Sequence, residues 1–206
     1  PEQHRAYVSW ALKTRLKVLL DKPITTRKNA TTDPDQAAGI LEDWQYMADH
    51  SKRTGTFLMV NSHRRFHPAY FHVGKLLKEV AGRYGVGVTS LSSFNSDGQW
   101  RLPNELEDIT YHGYENGNGV ISHFGYHYLD LITTWYRKGT PENNRADKAR
   151  VFSSFSTALN YTKQIPQSLS CKLLTENEEP EPAKQRQSLE NNISSYGEVD
   201  SFSSIE

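Results

Sequence analysis

Apolar positions recur along this chain at two different periods, and the change between them divides it in two. Between residues 2 and 14, Ala6 and Trp10 share a helical stripe with Tyr7 and Ala11 beside it, which predicts a helix. Lys17-Val18-Leu19-Leu20 then forms a short apolar strand, ended by Asp21-Lys22-Pro23 and a polar loop over 24–32. Asp33-Pro34 is an N-cap followed by a first helical residue. Ala37, Leu41, Trp44 and Ala48, with Ile40, Met47 and Ser51 alongside, make an amphipathic stripe that Gly55 stops. Thr56 to Val60 is the next apolar strand. Such strands alternating with helices predict a parallel sheet covered on both faces. Residues 1–63 therefore have the pattern of the C-terminal part of a doubly wound, Rossmann-type α/β domain.

The pattern changes from about residue 68. Ala69, Val73, Leu76, Leu77 and Val80 predict a helix closed by Gly82, and Val86, Val88 and Ser90 alternate as a half-exposed strand should. A Gly117-Asn118-Gly119 turn leads into a helix from about Val120 to Tyr136. Val151 to Leu159 and Ser195 to Ile205 alternate again. Residues 64–206 are expected to be an α+β domain with an open, mostly antiparallel sheet. Residues 163–194 are polar, with Leu169, Leu173 and Leu174 as sparse anchors, and predict a mobile insertion. Trp10, Trp44 and Trp135 are assigned to core packing.

Lys+Arg and Asp+Glu number 24 each. A nucleic-acid binder carries a basic excess, because phosphate neutralisation supplies most of its affinity, so that partner class is disfavoured. The apolar runs are too short to span a bilayer, and no membrane partner is expected. Cys171 is the single cysteine, read as an idle thiol. The chain opens on Pro1 and closes inside the alternation that ends at Ile205, so both ends are read as cut and a longer protein is expected.

Chemistry concentrates in three places: Asp21-Lys22-Pro23 after one strand, Arg64-Arg65-Phe66-His67-Pro68 after the next, and the helix bearing His123, His127 and Asp130. Ligands of open α/β sheets sit beyond the carboxyl ends of the strands. Asp21-Lys22-Pro23 resembles the Glu-Lys-Pro signature of the Gfo/Idh/MocA oxidoreductases. Pro1-x-x-His4 resembles that family's Pro-x-x-x-His segment, one residue shorter, and Arg64 to Pro68 is similar to its Arg-Arg-Phe-x-Pro entry into the second domain. Gly117 to Asp130 looks like the family's Gly-Gly-Gly-x-Leu-x-Asp-x-Gly-x-His-x-x-Asp helix, and Gly197-Glu198-Val199-Asp200 like its acidic lead-in to a later strand. There are two departures: no Gly-x-Gly-x-x-Gly phosphate loop occurs, and His123 stands where the family has Asp.

The resemblance implies an NAD- or NADP-dependent oxidoreductase acting on a sugar, a polyol or a similar hydroxylated small molecule, located in the cytoplasm and forming a homo-oligomer. It makes Lys22, His127 and His123 the catalytic candidates, and His4, Asp21, Lys22 and Pro23 the cofactor contacts. Arg65, Trp100 and Asp130 are the candidates for substrate contact. In this reading Lys22 stabilises developing alkoxide charge and His127 is the base, its pKa near working pH and coupled to that of His123. Without the phosphate loop, feeble cofactor binding is expected of this chain alone. Two rivals remain. One is a dinucleotide-binding homologue without turnover, acting as a regulator or scaffold. The other is a zinc site on His123 and His127, against which Phe124 occupies the place of Glu in His-Glu-x-x-His and no third ligand has diagnostic spacing, so no metal is expected.

Overall fold

The computed structural model describes residues 2–96, 102–109, 111–145, 148–166, 168–169 and 183–206. Helix α1 (His4–Lys13), strand β1 (Val18–Leu20), helix α2 (Pro34–Thr54) and strand β2 (Leu58–Val60) follow in the expected order. β1 and β2 pair in parallel, setting Val18, Leu19 and Leu20 opposite Leu58, Met59 and Val60. Asp33 caps α2 by accepting from the Asp35 and Gln36 amides, and Pro34 needs no partner at the first helical position.

The buried faces differ from those expected. On α1 the buried residues are Val8 and Leu12, while Trp10 is 61% exposed, so it is not a core residue. Leu19 is 69% exposed, so the parallel pair is covered on one face, not two. On α2 the expected stripe is rotated: Leu41 is exposed, and the buried line is Gly39, Asp43 and Met47.

Asp43 turns that line into a polar anchor. Its carboxylate accepts from Arg5 Nη1 (2.5 Å), Arg27 Nη2 (2.9 Å) and Arg27 Nε (3.2 Å). Burial alone would raise its pKa; the bonds from Arg27 and Arg5 outweigh burial and hold it below the ordinary carboxyl value. One residue thus ties α1, α2 and the loop after β1 together. Asp43→Ala leaves both guanidinium groups without their shared acceptor and is expected to destabilise the chain by about 1–3 kcal/mol. The reading is a lower urea midpoint at unchanged slope, and an unchanged midpoint would reduce the cluster to a surface contact.

Beyond β2, a 3₁₀ turn (His63–Phe66) leads into α3 (Pro68–Tyr84), capped by the His67 imidazole, which accepts from the Ala69 amide. α3 runs through Gly82 and stops at Gly85, whose φ of 66° is the left-handed conformation that ends it. Val73, Leu76 and Val80, expected on the buried stripe, are exposed, and the buried residues are Gly74 and Ala81. Strand β3 (Leu91–Ser96) begins later than the alternation at Val86 to Ser90 implied. Val88 instead spends its amide on the Gly139 carbonyl (3.1 Å) and Thr140 Oγ1 (3.2 Å).

The remaining elements are α4 (Pro103–Glu107), a π-turn (Ile121–Gly125) running into α5 (Tyr126–Gly139), β4 (Val151–Thr157), α6 (Ala158–Gln164), α7 (Ala183–Asn192) and β5 (Glu198–Ile205). The alternation read as far as Leu159 ends at Thr157, whose side chain caps α6 through the Asn160 amide. β5 lies antiparallel between β3 and β4. Asn95, Ser201 and Ser203 are buried on the face toward α5, while Phe94 and Phe152 project from the opposite face at 70% and 59% exposure. The molecule is therefore mixed α/β, with a parallel pair followed by an open antiparallel sheet.

The polar stretch is corrected in part. Within 163–194, residues 183–192 form α7, and Leu189 and Ile193 join Leu106, Ile109, Tyr114, Ala158, Tyr196 and Val199 in one core cluster. Leu169, expected as an anchor, is 43% exposed. Leu173, Leu174 and Cys171 lie outside the described residues. Among the described residues no helix is long and apolar enough to cross a membrane.

Candidate active site

The parallel pair delivers Asp21-Lys22-Pro23 at the carboxyl end of β1 and His63-Arg64-Arg65 just beyond the end of β2. The Lys22–Pro23 peptide is cis. His4 Nδ1 lies 2.9 Å from the Pro23 carbonyl and 3.3 Å from that of Ile24. Carbonyls only accept, so this nitrogen carries the proton and donates. His4 thereby secures the turn that presents Lys22.

A cleft of about 600 Å³ opens there. His4, Asp21, Lys22, Pro23 and Thr26 line one side, and Gly113, Glu115, Asn116, Asn118 and Ser122 line the other. The two sides are tied by backbone bonds, Asn29 amide to Asn116 carbonyl (2.7 Å) and Thr31 amide to Gly117 carbonyl (3.3 Å). Glu198, at the start of β5, completes the tie: Oε1 accepts from the Ile121 amide (2.9 Å) and Oε2 from Thr31 Oγ1 (2.6 Å). Burial raises its pKa, and those hydrogen bonds offset part of that. A carboxylate at the first turn of a helix also meets the positive end of the helix dipole. Gly119 leaves room for it, since a Cβ there would lie 2.3 Å from the Glu198 backbone nitrogen.

Two atoms on the cleft wall are buried acceptors with no hydrogen-bond partner: Asn118 Oδ1 and Glu115 Oε2. A buried acceptor left unpaired costs about 1–3 kcal/mol, a cost that a hydroxyl-bearing ligand would remove. Neither residue stands out in the sequence, apart from the glycines that bracket Asn118.

His127 is 4% exposed and sits on α5 among residues from both strand ends. Burial, then the positive charges of His63, Arg64 and Lys22, push its pKa down to about 4; Asp130 opposes them. A base near working pH was expected; the imidazole is instead neutral through the physiological range. His63 packs its ring edge-on against His127 with centroids 4.6 Å apart, whereas His123 meets Phe124 at 5.6 Å. Tyr126 Oη lies 2.6 Å from His127 Nε2. Burial and the Asp21 carboxylate push the Tyr126 pKa up to about 12.

Of the substrate candidates, Arg65 and Asp130 meet each other in a two-pronged ion pair, with Arg65 Nε 2.8 Å from Oδ2. Their charges are thus largely spent on one another. Arg64 donates to Tyr128 Oη (2.6 Å). Trp100 lies outside the described residues. Among the described residues no group of three or more His, Cys, Asp or Glu side chains is gathered to hold a metal ion.

Neither protein-family models nor curated proteins give a match to this sequence. Solved structures with a similar fold include the following two. One is described as a "putative myo-inositol dehydrogenase" from Sinorhizobium meliloti, with 15% identity and a TM-score of 0.46 over 76% of this chain and 38% of that one. The other is a "probable dehydrogenase" from Thermotoga maritima, with 16% identity and a TM-score of 0.44 over 75% of this chain and 37% of that one. This chain thus spans less than two-fifths of the length of either.

Proposed function

We propose that the protein carrying this chain is an NAD(P)-dependent oxidoreductase acting on a sugar, a polyol or a related hydroxylated small molecule. The observation that supports this reading is the electrostatic coupling of two groups from distant parts of the sequence. Lys22 lines the cleft at the end of β1 and lies within electrostatic reach of His127 on α5. In this reading Lys22 stabilises negative charge on a reacting oxygen, and His127 is the second group that acts on it. Asn118 and Glu115 supply unpaired acceptors for substrate hydroxyls. A nicotinamide cofactor, when bound, accepts or supplies the hydride. The cleft, with the polar side chains of Asn116 and Ser122 on its far wall, is roomy enough for the reacting end of the cofactor. These 206 residues include no Gly-x-Gly-x-x-Gly loop, so a pyrophosphate cradle of that kind is not supplied by them. The outer face of the antiparallel sheet, with Phe94, Phe152 and Phe202, is the surface for self-association.

The test follows the absorbance of reduced nicotinamide with each cofactor across a panel of polyols and sugars. Turnover with at least one member is expected. Cofactor binding without turnover on any of them would replace this reading with that of a regulator or scaffold.

A further inference from the structure

We infer that Tyr126 is a positioning residue whose phenol locks neutral His127 in the tautomer bearing its proton on Nδ1. The place of this pair in a reaction rests on the oxidoreductase reading; its geometry does not.

Neighbouring residues of a regular α-helix point about 100° apart and do not face each other. Tyr126 and His127 nevertheless meet, with Oη 2.6 Å from Nε2 and ring centroids 4.1 Å apart at an interplanar angle of 37°. The contact forms where the π-turn passes into α5. One partner must donate. The phenol, buried and beside Asp21, is protonated at neutral pH. Since a phenol is the stronger donor and an imidazole nitrogen the stronger acceptor of such a pair, the 2.6 Å contact is assigned as Oη donating to Nε2. The single ring proton of neutral His127 then resides on Nδ1.

The charges around the ring keep it in that neutral form. His63 and Arg64, from the turn after β2, and Lys22, from the turn after β1, all oppose an imidazolium. Asp130, one turn along α5, favours one, but it is engaged by Arg65. His127 Nδ1 is buried and has no hydrogen-bond partner. In this tautomer it is the one ring donor that the Tyr126–His127 pair leaves unengaged. On the oxidoreductase reading, His127 serves as a neutral hydrogen-bond donor rather than as a base, a mode known to polarise carbonyl groups. The ammonium of Lys22 is left as the charged group in the same reading.

Long-range proton–nitrogen NMR spectra of the full protein, ¹⁵N-labelled at histidine, test this directly. The His127 signals are identified by their loss in His127→Asn. At neutral pH the wild-type protein should show the Nδ1–H pattern. Tyr126→Phe should shift the pattern toward Nε2–H and raise the titration midpoint of the ring, because a bond accepted by its neutral form is lost. An Nε2–H pattern in the wild-type protein overturns the inference without any variant, and so does a tautomer unaffected by Tyr126→Phe. In turnover, Tyr126→Phe should lower kcat about 5- to 10-fold, the equivalent of one neutral hydrogen bond, and move the acid limb of the pH profile upward. The Nδ1–H pattern in a protein that transfers no hydride would sink the oxidoreductase reading and leave the Tyr126 assignment standing.

Discussion

On the proposed oxidoreductase reading, Lys22→Met in the protein that carries this chain should lower kcat for hydride transfer by about 10²–10³, the usual cost of deleting a group aimed at developing oxyanion charge. Methionine keeps the length of the stem and removes only the charge, and Lys22 lines the cleft without belonging to either core cluster, so the fold should survive. The substitution has a second signature. Lys22 is one of three cationic neighbours holding the His127 pKa down, so its loss raises that pKa and shifts the acid limb of the rate profile upward. Lys22→Arg preserves the charge but replaces a compact ammonium with a planar fork, and should recover only part of the rate. A value of kcat within twofold of wild type in Lys22→Met would remove this residue from the chemistry.

The features that were legible in the sequence are those decided locally. Asp33-Pro34 marks the start of α2 because a side-chain acceptor and a missing amide are properties of two adjacent residues. β1 and β2, the turn before the π-turn, and the order of the elements follow from equally short patterns. The buried face of a helix is not local. Ala37, Leu41 and Ala48 have the right spacing on α2, but α1 and the loop after β1 bring Arg5 and Arg27 to Asp43, and that contact fixes the rotation. Strand propensity at Val86 and Val88 likewise loses to the bonds that Gly139 and Thr140 offer the Val88 amide. α7 was hidden by its composition: Leu189 within it and Ile193 just beyond its end suffice because the α4 side of the core is waiting for them. At the site, Lys22 and His127 could be named from resemblance. Tyr126 could not, since no helical spacing rule pairs adjacent residues, and the π-turn that brings the pair together has no sequence signal of its own.

Acidification from pH 7 to pH 4 should weaken the folded chain through His127 by about 3 kcal/mol. The unfolded imidazole takes a proton near its ordinary value of about 6.5. In the fold that proton is refused until about pH 4, because the ring is buried among His63, Arg64 and Lys22. Between those limits the unfolded state binds more protons than the folded state, so stability falls as pH falls, at up to about 1.4 kcal/mol per pH unit. Above about 6.5 both states hold the ring neutral and the contribution is fully present. Two carboxylates act in the same experiment with recognisable signs. Asp43, with its lowered pKa, begins to add a loss of the same sign at the acid end of this window, as the unfolded carboxyl starts to take up protons. Glu198, with its raised pKa, takes up a proton in the fold before it does so in the unfolded chain, and works in the opposite direction. The difference between the wild-type chain and His127→Gln therefore isolates the histidine. Urea midpoints from pH 7 to pH 4 should converge for the two proteins, the wild type starting higher and losing its advantage across the window. Parallel curves would mean that the ring titrates alike in both states, and that His127 is not the buried neutral imidazole on which the site depends.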